Sequence, residues 1–121
     1  MKQALLVFLG GGLGSGLRYL LAVALNPLVQ RFYLGTFTAN LLGCFLIGLF
    51  FGLAEREEWL DRNATLFLVT GFCGGFTTFS TFAFEKYGLL KDGHLFPFFG
   101  YVAGSLILGL FAVGLGLLAS R

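Results

Sequence analysis

The residues of this chain best suited to chemistry lie in one stretch, from Thr70 to Phe84. It reads TGFCGGFTTFSTFAF and carries no charge, yet it combines three glycines, four hydroxyl side chains between Thr77 and Thr81, and several phenylalanines. Glycine and clustered hydroxyl residues loosen helical hydrogen bonding, and carbonyls freed inside a membrane are tolerated only where they line a cavity or meet a polar partner. The stretch therefore predicts a broken membrane helix at a place where an ion is handled.

The spacing of the aromatic and polar residues favours a small anion. On a helix, Phe79 and Phe82 share one face, with Thr78 four residues before Phe82. An aromatic ring has a positive edge, so two ring edges together with amide and hydroxyl donors suit an anion, whereas a lysine or arginine in their place would hold it too tightly for fast exit. A second interpretation also stays open, in which the phenylalanines only pack and Asn40 only bridges helices. Further neutral polar candidates within the apolar segments are Thr36, Thr38, Thr77, Ser80, Thr81, Tyr101 and Ser105.

Residues for catalysis or for proton coupling are missing from the pattern. Cys44 and Cys73 lie in different apolar segments without a CxxC partner, and His94 lies in a loop without metal-ligand spacing. The six acidic residues all fall in predicted loops or at segment ends, with Glu85 the closest to the membrane. Proton-coupled carriers need a carboxylate or histidine within the membrane. We therefore predict that the chain is neither an enzyme nor such a carrier.

Composition and hydropathy assign the elements that position these residues to a membrane. The chain has 121 residues, of which 57% are hydrophobic and 12% charged, with a mean hydropathy of +0.87; a soluble domain carries about twice that charged fraction. Four apolar segments, at 4–25, 32–54, 63–84 and 98–120, each meet the requirement of roughly 20 residues for a spanning helix. We predict one all-α transmembrane domain over residues 1–121, embedded in a lipid bilayer and without a nucleic-acid partner.

Positive charges are divided almost evenly between the two sides of such a bundle. The side that holds both termini has Lys2, Arg56, Arg62 and Arg121. The other side has Arg31, Lys86 and Lys91, with Arg18 near the end of the first segment. Either the chain inserts in both orientations and pairs with its inverted copy, or one loop charge decides the orientation. Glycines at GxxxG spacing, Gly10/Gly14 and Gly12/Gly16, predict close helix contacts.

Several motifs in order resemble those of one family. The sequence GFCGGFTTFSTF (Gly71–Phe82) is similar to the signature of the Fluc/CrcB fluoride channels of bacteria. The elements at Gly11–Tyr19 and Gly35–Gly43, and Tyr101 with Ser105 in the last segment, agree with that family along the whole chain.

The resemblance implies an antiparallel, dual-topology homodimer with two separate fluoride pores, in the cytoplasmic (inner) membrane of a bacterium. The third helix would be broken near Gly74–Thr78. A structural sodium ion (Na⁺) would lie at the dimer interface, bound by the backbone carbonyls of Gly74 and Thr77 from both subunits.

The resemblance also implies a role for each polar residue. Phe79 and Phe82 would face fluoride with their ring edges, and Asn40 would be the amide donor of the pore. The polar track would consist of Ser80, Thr81, Tyr101 and Ser105, and the aqueous vestibule would contain Arg18. The implied activity is passive, fluoride-selective export that lowers fluoride toxicity.

Two other functions stay open. A small multidrug-type proton-coupled exporter has a similar length but depends on an acid in its first span, where this chain has Arg18 and no acid. A non-transporting membrane assembly subunit would use its small-residue faces to bind a larger partner.

Overall fold

Helices make up most of the chain. The computed structural model describes residues 1–29 and 32–121, and those residues contain no β-strand. The elements are α1 (Lys2–Leu25) with a 3₁₀ turn (Asn26–Leu28), α2 (Leu34–Ala54), α3 (Arg62–Thr65), a π-helix (Leu66–Cys73), α4 (Gly74–Phe76), α5 (Ser80–Lys91) and α6 (Leu95–Ala119). They form four segments long and apolar enough to cross a membrane, Lys2–Leu28, Leu34–Ala54, Arg62–Lys91 and Leu95–Ala119. The prediction of an all-α protein with four such helices is confirmed, and Arg31, counted above among the charges, lies outside the described residues.

The third span is longer than predicted. Its expected end at Phe84 is wrong, because α5 continues to Lys91 and buries Glu85 and Lys86. Helical hydrogen bonding stops only at Gly93, which takes the left-handed conformation (φ 78°) that favours glycine, while the His94 N–H donates to the Leu89 carbonyl at 2.9 Å. A hydropathy boundary falls at the first charge, whereas the helix ends where its backbone is capped.

The break in the third span, at residues 77–79, overlaps the predicted range Gly74–Thr78 and extends one residue beyond it. The π-helix, whose wider turns are frequent at functional sites, leads into the single turn α4, and Thr77 then adopts an extended conformation with φ −90° and ψ 160°. The helix resumes at Ser80, where the Thr81 N–H donates to Thr78 Oγ1 at 3.1 Å. This bond satisfies one of the N–H groups that a helix start leaves without a partner.

Glycines bring the first span against the broken span, backbone to backbone. A methyl group added at Gly10 would collide with the carbonyl oxygen of Phe67, and one at Gly14 with the carbonyl oxygen of Phe72. Both glycines are buried, as the small-residue pattern predicted for this pair. The break is therefore held in place by close packing on α1.

The second glycine pair of α1 behaves differently. No atom of the described residues lies within 4 Å of a methyl group built at Gly12 or Gly16. The prediction of helix contact therefore holds for one pair and fails for the other within this protomer. Gly48 of α2 and Gly116 of α6 supply the second close approach, since a methyl group at either position would strike the opposite backbone.

Candidate anion pathway at the broken helix

Asn40 of α2 is bonded to the backbone of the break. Its Nδ2 donates to the Thr78 carbonyl at 3.0 Å, and its Oδ1 accepts from the Thr78 N–H at 2.8 Å. A carboxamide nitrogen carries a pair of N–H groups, so one of them remains for another acceptor. The side chain also borders a cavity of about 540 Å³ that reaches Gly74, Thr77 and Phe79. Asn40 thus both bridges two helices and keeps a donor at the cavity.

The backbone at the break is only partly hydrogen-bonded. The Thr77 hydroxyl donates to the Cys73 carbonyl at 2.9 Å, and Arg18 Nε donates to the Gly75 carbonyl at 3.1 Å. Over residues 1–29 and 32–121, neither the Gly74 nor the Thr77 carbonyl oxygen accepts a hydrogen bond. These are the carbonyls that the resemblance assigns to a sodium ion. An unpaired carbonyl at membrane depth is costly unless it meets a polar partner.

An aromatic row begins at the break. The ring centroids of Phe79 and Phe82 lie 6.3 Å apart with planes at 34°, and those of Phe82 and Tyr101 lie 5.9 Å apart at 53°. Both separations fall in the range of interacting aromatic pairs. Phe79 is 80% exposed in the protomer, whereas Tyr101 is 6% exposed. The two phenylalanines selected from the sequence therefore do lie together, and Tyr101 extends the row inwards.

The hydroxyl residues of the expected track are distributed unevenly along this row. Ser105 lies one turn beyond Tyr101 on α6, and no partner for its buried Oγ is found among the described residues. The Tyr101 hydroxyl donates to the Tyr33 carbonyl at 2.9 Å. Thr81 is half-buried beside the row, while Ser80 is exposed at the first position of α5. Tyr101 and Ser105 thus lie on successive turns of α6, Thr81 lines a separate cavity with Tyr33 and Glu85, and Ser80 faces away from the protomer's interior.

A buried ion pair lies at the Tyr101 end of the row. It corrects the prediction that no carboxylate lies within a span. Glu85 and Lys86 are 6% and 3% exposed, and Lys86 Nζ lies 3.6 Å from Glu85 Oε1. The Thr36 hydroxyl donates to Glu85 Oε2 at 2.7 Å. Lys86 Nζ also lies 3.3 Å from the centroid of the Tyr101 ring. Sequence reasoning placed both charges in a loop, but their helix buries them against α2 and α6.

One signal in the sequence does lead to this pair. The three-residue spacing from Phe79 to Phe82 is repeated from Phe82 to Glu85. Glu85 therefore continues the side marked by the two phenylalanines once the predicted helix is extended beyond Phe84. Thr36 was recognised as a polar residue within a span, but its partner is invisible without the packing of α2 on α5. Lys86 carries no comparable pattern, because its burial depends on rings from three different elements.

Comparison with known proteins places the chain in a family. The sequence model of the family described as CrcB-like protein, Camphor Resistance (CrcB), matches residues 5–117, which include α1, the break and the aromatic row. The chain belongs to this family. The resemblance inferred from the motifs is thereby confirmed.

Relatives of the CrcB-like chain match it from end to end. A protein of Phocaeicola vulgatus named fluoride-specific ion channel FluC is 49% identical over 122 residues, covering 100% of both chains. Proteins of the same name from Flavobacterium psychrophilum and Chlorobium luteolum are 44% and 48% identical, covering 100% and 98% of this chain and 98% and 92% of their own. The similarity to these relatives therefore covers all four apolar helices of this CrcB-like protein.

Proposed function

We propose that this protein is a passive, fluoride-selective ion channel of a bacterial inner membrane that lets cytoplasmic fluoride leave. The observation that carries the proposal is the row of aromatic rings that begins where Asn40 holds the broken helix. Relatives similar over the whole chain bear the name fluoride-specific ion channel FluC. The chain is a channel and not an enzyme. Hydrogen fluoride enters cells as a weak acid and ionises in the more neutral cytoplasm, so an open path for the anion lowers its toxicity.

Selectivity follows from the kind of donors along the row. Fluoride is small and strongly hydrated, so a narrow path must replace its water with hydrogen-bond donors. The remaining Nδ2 N–H of Asn40, the ring edges of Phe79 and Phe82, and the hydroxyls beside Tyr101 are neutral donors of this kind. Neutral donors bind an anion weakly enough for it to leave. The larger chloride ion fits such a path poorly.

In this proposal a second copy of the chain, inserted with the opposite membrane orientation, completes the pore. Phe79 is 80% exposed in the protomer, and the cavity of about 540 Å³ beside Asn40 opens at the surface. Lipid tails can cover the ring, but polar backbone left open at membrane depth requires a polar partner, which a second copy would provide. Because Lys86 is buried in the span, the loop charges now number four on the side of Lys2 against two or three on the other, still a small bias.

The residues at the break fit the sodium ion that the family implies. Na⁺ is a hard cation that prefers oxygen ligands, and the Gly74 and Thr77 carbonyls, like that of Phe76, accept no hydrogen bond among the described residues. One protomer offers too few oxygens for a full shell, so we propose that the same carbonyls of both copies hold the ion. Bound there, Na⁺ would supply positive charge that satisfies the freed carbonyls and ties the two broken helices together.

Arg18 would serve the mouth of the pathway. Its Nε is engaged by the Gly75 carbonyl, which fixes the half-buried side chain beside the break. A guanidinium has further N–H groups in a rigid fork. Those groups remain to attract anions from the aqueous vestibule, while the Nε bond anchors the arginine outside the row itself.

One observation keeps a second candidate function in view. Glu85 supplies a buried carboxylate within a span, which is the element a proton-coupled exporter needs. Its position on the third span differs from the acid in the first span that small multidrug-type exporters use. Proton-driven uptake of a cationic dye into vesicles containing the protein would favour this second function over the channel.

The channel is tested by efflux from liposomes that contain the purified protein, are loaded with fluoride or chloride, and receive valinomycin to carry potassium. Rapid fluoride release with little chloride release is expected. If folded protein released neither ion, the channel proposal would fail and the assembly-subunit function would become the better explanation.

A further inference from the structure

The proposed pathway contains a buried ammonium group that its neutral donors do not require. Lys86 is 3% exposed, although the side chains of Lys2 and Lys91 are exposed. In the part of the chain that the structure describes, Lys86 Nζ forms no hydrogen bond, and its nearest carboxylate oxygen, Glu85 Oε1, lies 3.6 Å away. Burying a lysine that forms no hydrogen bond costs folding free energy, and a bound ligand would offset that cost.

Aromatic rings surround this ammonium and place it on the row. Lys86 Nζ lies 3.3 Å from the ring centroid of Tyr101, 4.9 Å from that of Tyr33 and 5.1 Å from that of Phe82. A cation over ring faces is attracted by their negative charge, which leaves the positive ring edges directed elsewhere. Tyr33 takes a left-handed backbone conformation (φ 53°), which is uncommon for a non-glycine residue and characteristic of functional sites.

Two other polar atoms, one on α6 and one on the neighbouring residue of α5, also form no hydrogen bond with any described residue. Ser105 Oγ and Glu85 Oε1 are buried, and neither has a hydrogen-bond partner among the described residues. Ser105 lies one helical turn from Tyr101, whose ring carries the ammonium. One unused donor, Lys86 Nζ, thus lies over the Tyr101 ring, and the other, Ser105 Oγ, belongs to the next turn of the helix that carries this ring. One carboxylate oxygen lies 3.6 Å from the ammonium.

We propose that Lys86 and Ser105 form an anion site at the buried, Tyr101 end of the aromatic row, where fluoride binds transiently during its passage. The ligand is a small halide that accepts hydrogen bonds from the ammonium and from the hydroxyl. This inference rests on the proposed channel function and adds a specific binding group to it.

Glu85 explains how such a site releases its ion. An isolated lysine would bind an anion tightly, but Glu85 Oε1 lies 3.6 Å from the Lys86 ammonium, and the pair is close to neutral. The Thr36 hydroxyl holds the other carboxylate oxygen at 2.7 Å, which keeps Glu85 in place when an anion arrives. The carboxylate thus competes with fluoride for the ammonium, and the ion can leave.

The test is the concentration dependence of fluoride efflux in the liposome assay. Lys86→Met removes the charge but keeps the length of the side chain, and we expect its half-saturating fluoride concentration to rise about tenfold, as the loss of a charge-assisted hydrogen bond predicts. Lys86→Arg should stay near the parent value. Lys91→Met is the matched control, because it removes an exposed lysine from the same helix and should leave half-saturation unchanged.

Each other result has a definite meaning. An unchanged half-saturation in Lys86→Met, even with reduced maximal flux, would overturn the binding role and make Lys86 a residue that only holds the rings. An equal shift in Lys91→Met would also overturn it, in favour of a general effect of surface charge. Failure of the parent protein to conduct fluoride is a separate outcome, which rejects the channel function itself.

A measurement on the unaltered protein covers the case in which Lys86→Met does not fold. The chain has three lysines, Lys2, Lys86 and Lys91, so lysine labelled with carbon-13 at the ε position gives a small set of NMR signals. Titration with sodium fluoride should shift the Lys86 signal saturably and leave the other two in place. No shift of Lys86 at concentrations that saturate efflux would overturn the proposal.

Discussion

Asn40 forms hydrogen bonds with both backbone groups of Thr78. Its amide nitrogen donates to the Thr78 carbonyl at 3.0 Å while its oxygen accepts the Thr78 N–H at 2.8 Å. One side chain therefore replaces the helical partners that Thr78 loses where the third span breaks. The same side chain borders the cavity beside the break, so in the proposed pore the group that stabilises the break is also the amide donor to the ion.

Substitution of Asn40 by Asp separates these two roles. An aspartate can still accept from the Thr78 N–H, but it cannot donate to the carbonyl or to fluoride, and it adds negative charge to the path of an anion. We expect fluoride efflux to fall by roughly a hundredfold, as the loss of donor bonds near a charged group predicts. Asn63→Asp adds the same charge in α3, away from the row, and should conduct normally. Normal efflux through Asn40→Asp would show that the amide is only a bridge between helices.

The aromatic row gives the second prediction. Phe79→Ile and Phe82→Ile keep the apolar bulk but remove the positive ring edge, so fluoride efflux should fall strongly. Phe79 is 80% exposed in the protomer, and its replacement should cost the protomer little stability. Phe84→Ile is the control, because this ring is 78% exposed and belongs to the same helix without joining the row. Equal loss in all three variants would indicate an effect on packing and remove the argument for ring edges.

The fold was largely predictable because its main determinant, apolar length, is a local property. The break was predictable for a similar reason, since glycine and hydroxyl residues weaken the helix where they stand. The burial of Glu85 and Lys86 was not, because it depends on Thr36, Tyr33 and Tyr101 from other elements. The end of α5 was also missed, since Gly93 caps the helix through its conformation and has no hydropathy signal.

Close packing between α1 and the third span gives a prediction about stability. At Gly14 an added methyl group would meet the Phe72 carbonyl and the Phe76 backbone, neither of which can turn away. Gly14→Ala should therefore destabilise the protein by about 1–3 kcal/mol, as overpacking of a tight contact does. Gly12→Ala meets nothing within 4 Å in the described residues and should unfold like the parent. Thermal unfolding in detergent, followed by size-exclusion chromatography, compares the two variants directly.

The hydrogen bond between Thr36 and Glu85 predicts a second stability effect. Thr36→Val preserves the shape of the side chain but leaves Glu85 Oε2 without its donor at 2.7 Å. The cost should be about 1.5–3 kcal/mol, as for other bonds to charged groups. Thr38→Val is the control, because it makes the same change two residues along α2, on a different face of the helix. If both valine variants unfold at the same temperature, the bond contributes nothing measurable.

Removal of sodium tests the proposed arrangement at the break. If the Gly74 and Thr77 carbonyls of two copies share one Na⁺, purification with a large organic cation in its place should lower the fraction of dimer, because the freed carbonyls lose their partner. Thr77→Val sharpens the test. The Thr77 hydroxyl already donates to the Cys73 carbonyl at 2.9 Å, so a variant without it keeps the backbone oxygen and should still need sodium. The dimer fraction, measured by light scattering over a series of sodium concentrations, distinguishes the possibilities. A dimer that persists equally in both cations would reject the sodium site, and a sodium dependence lost in Thr77→Val would assign the ligand to the hydroxyl.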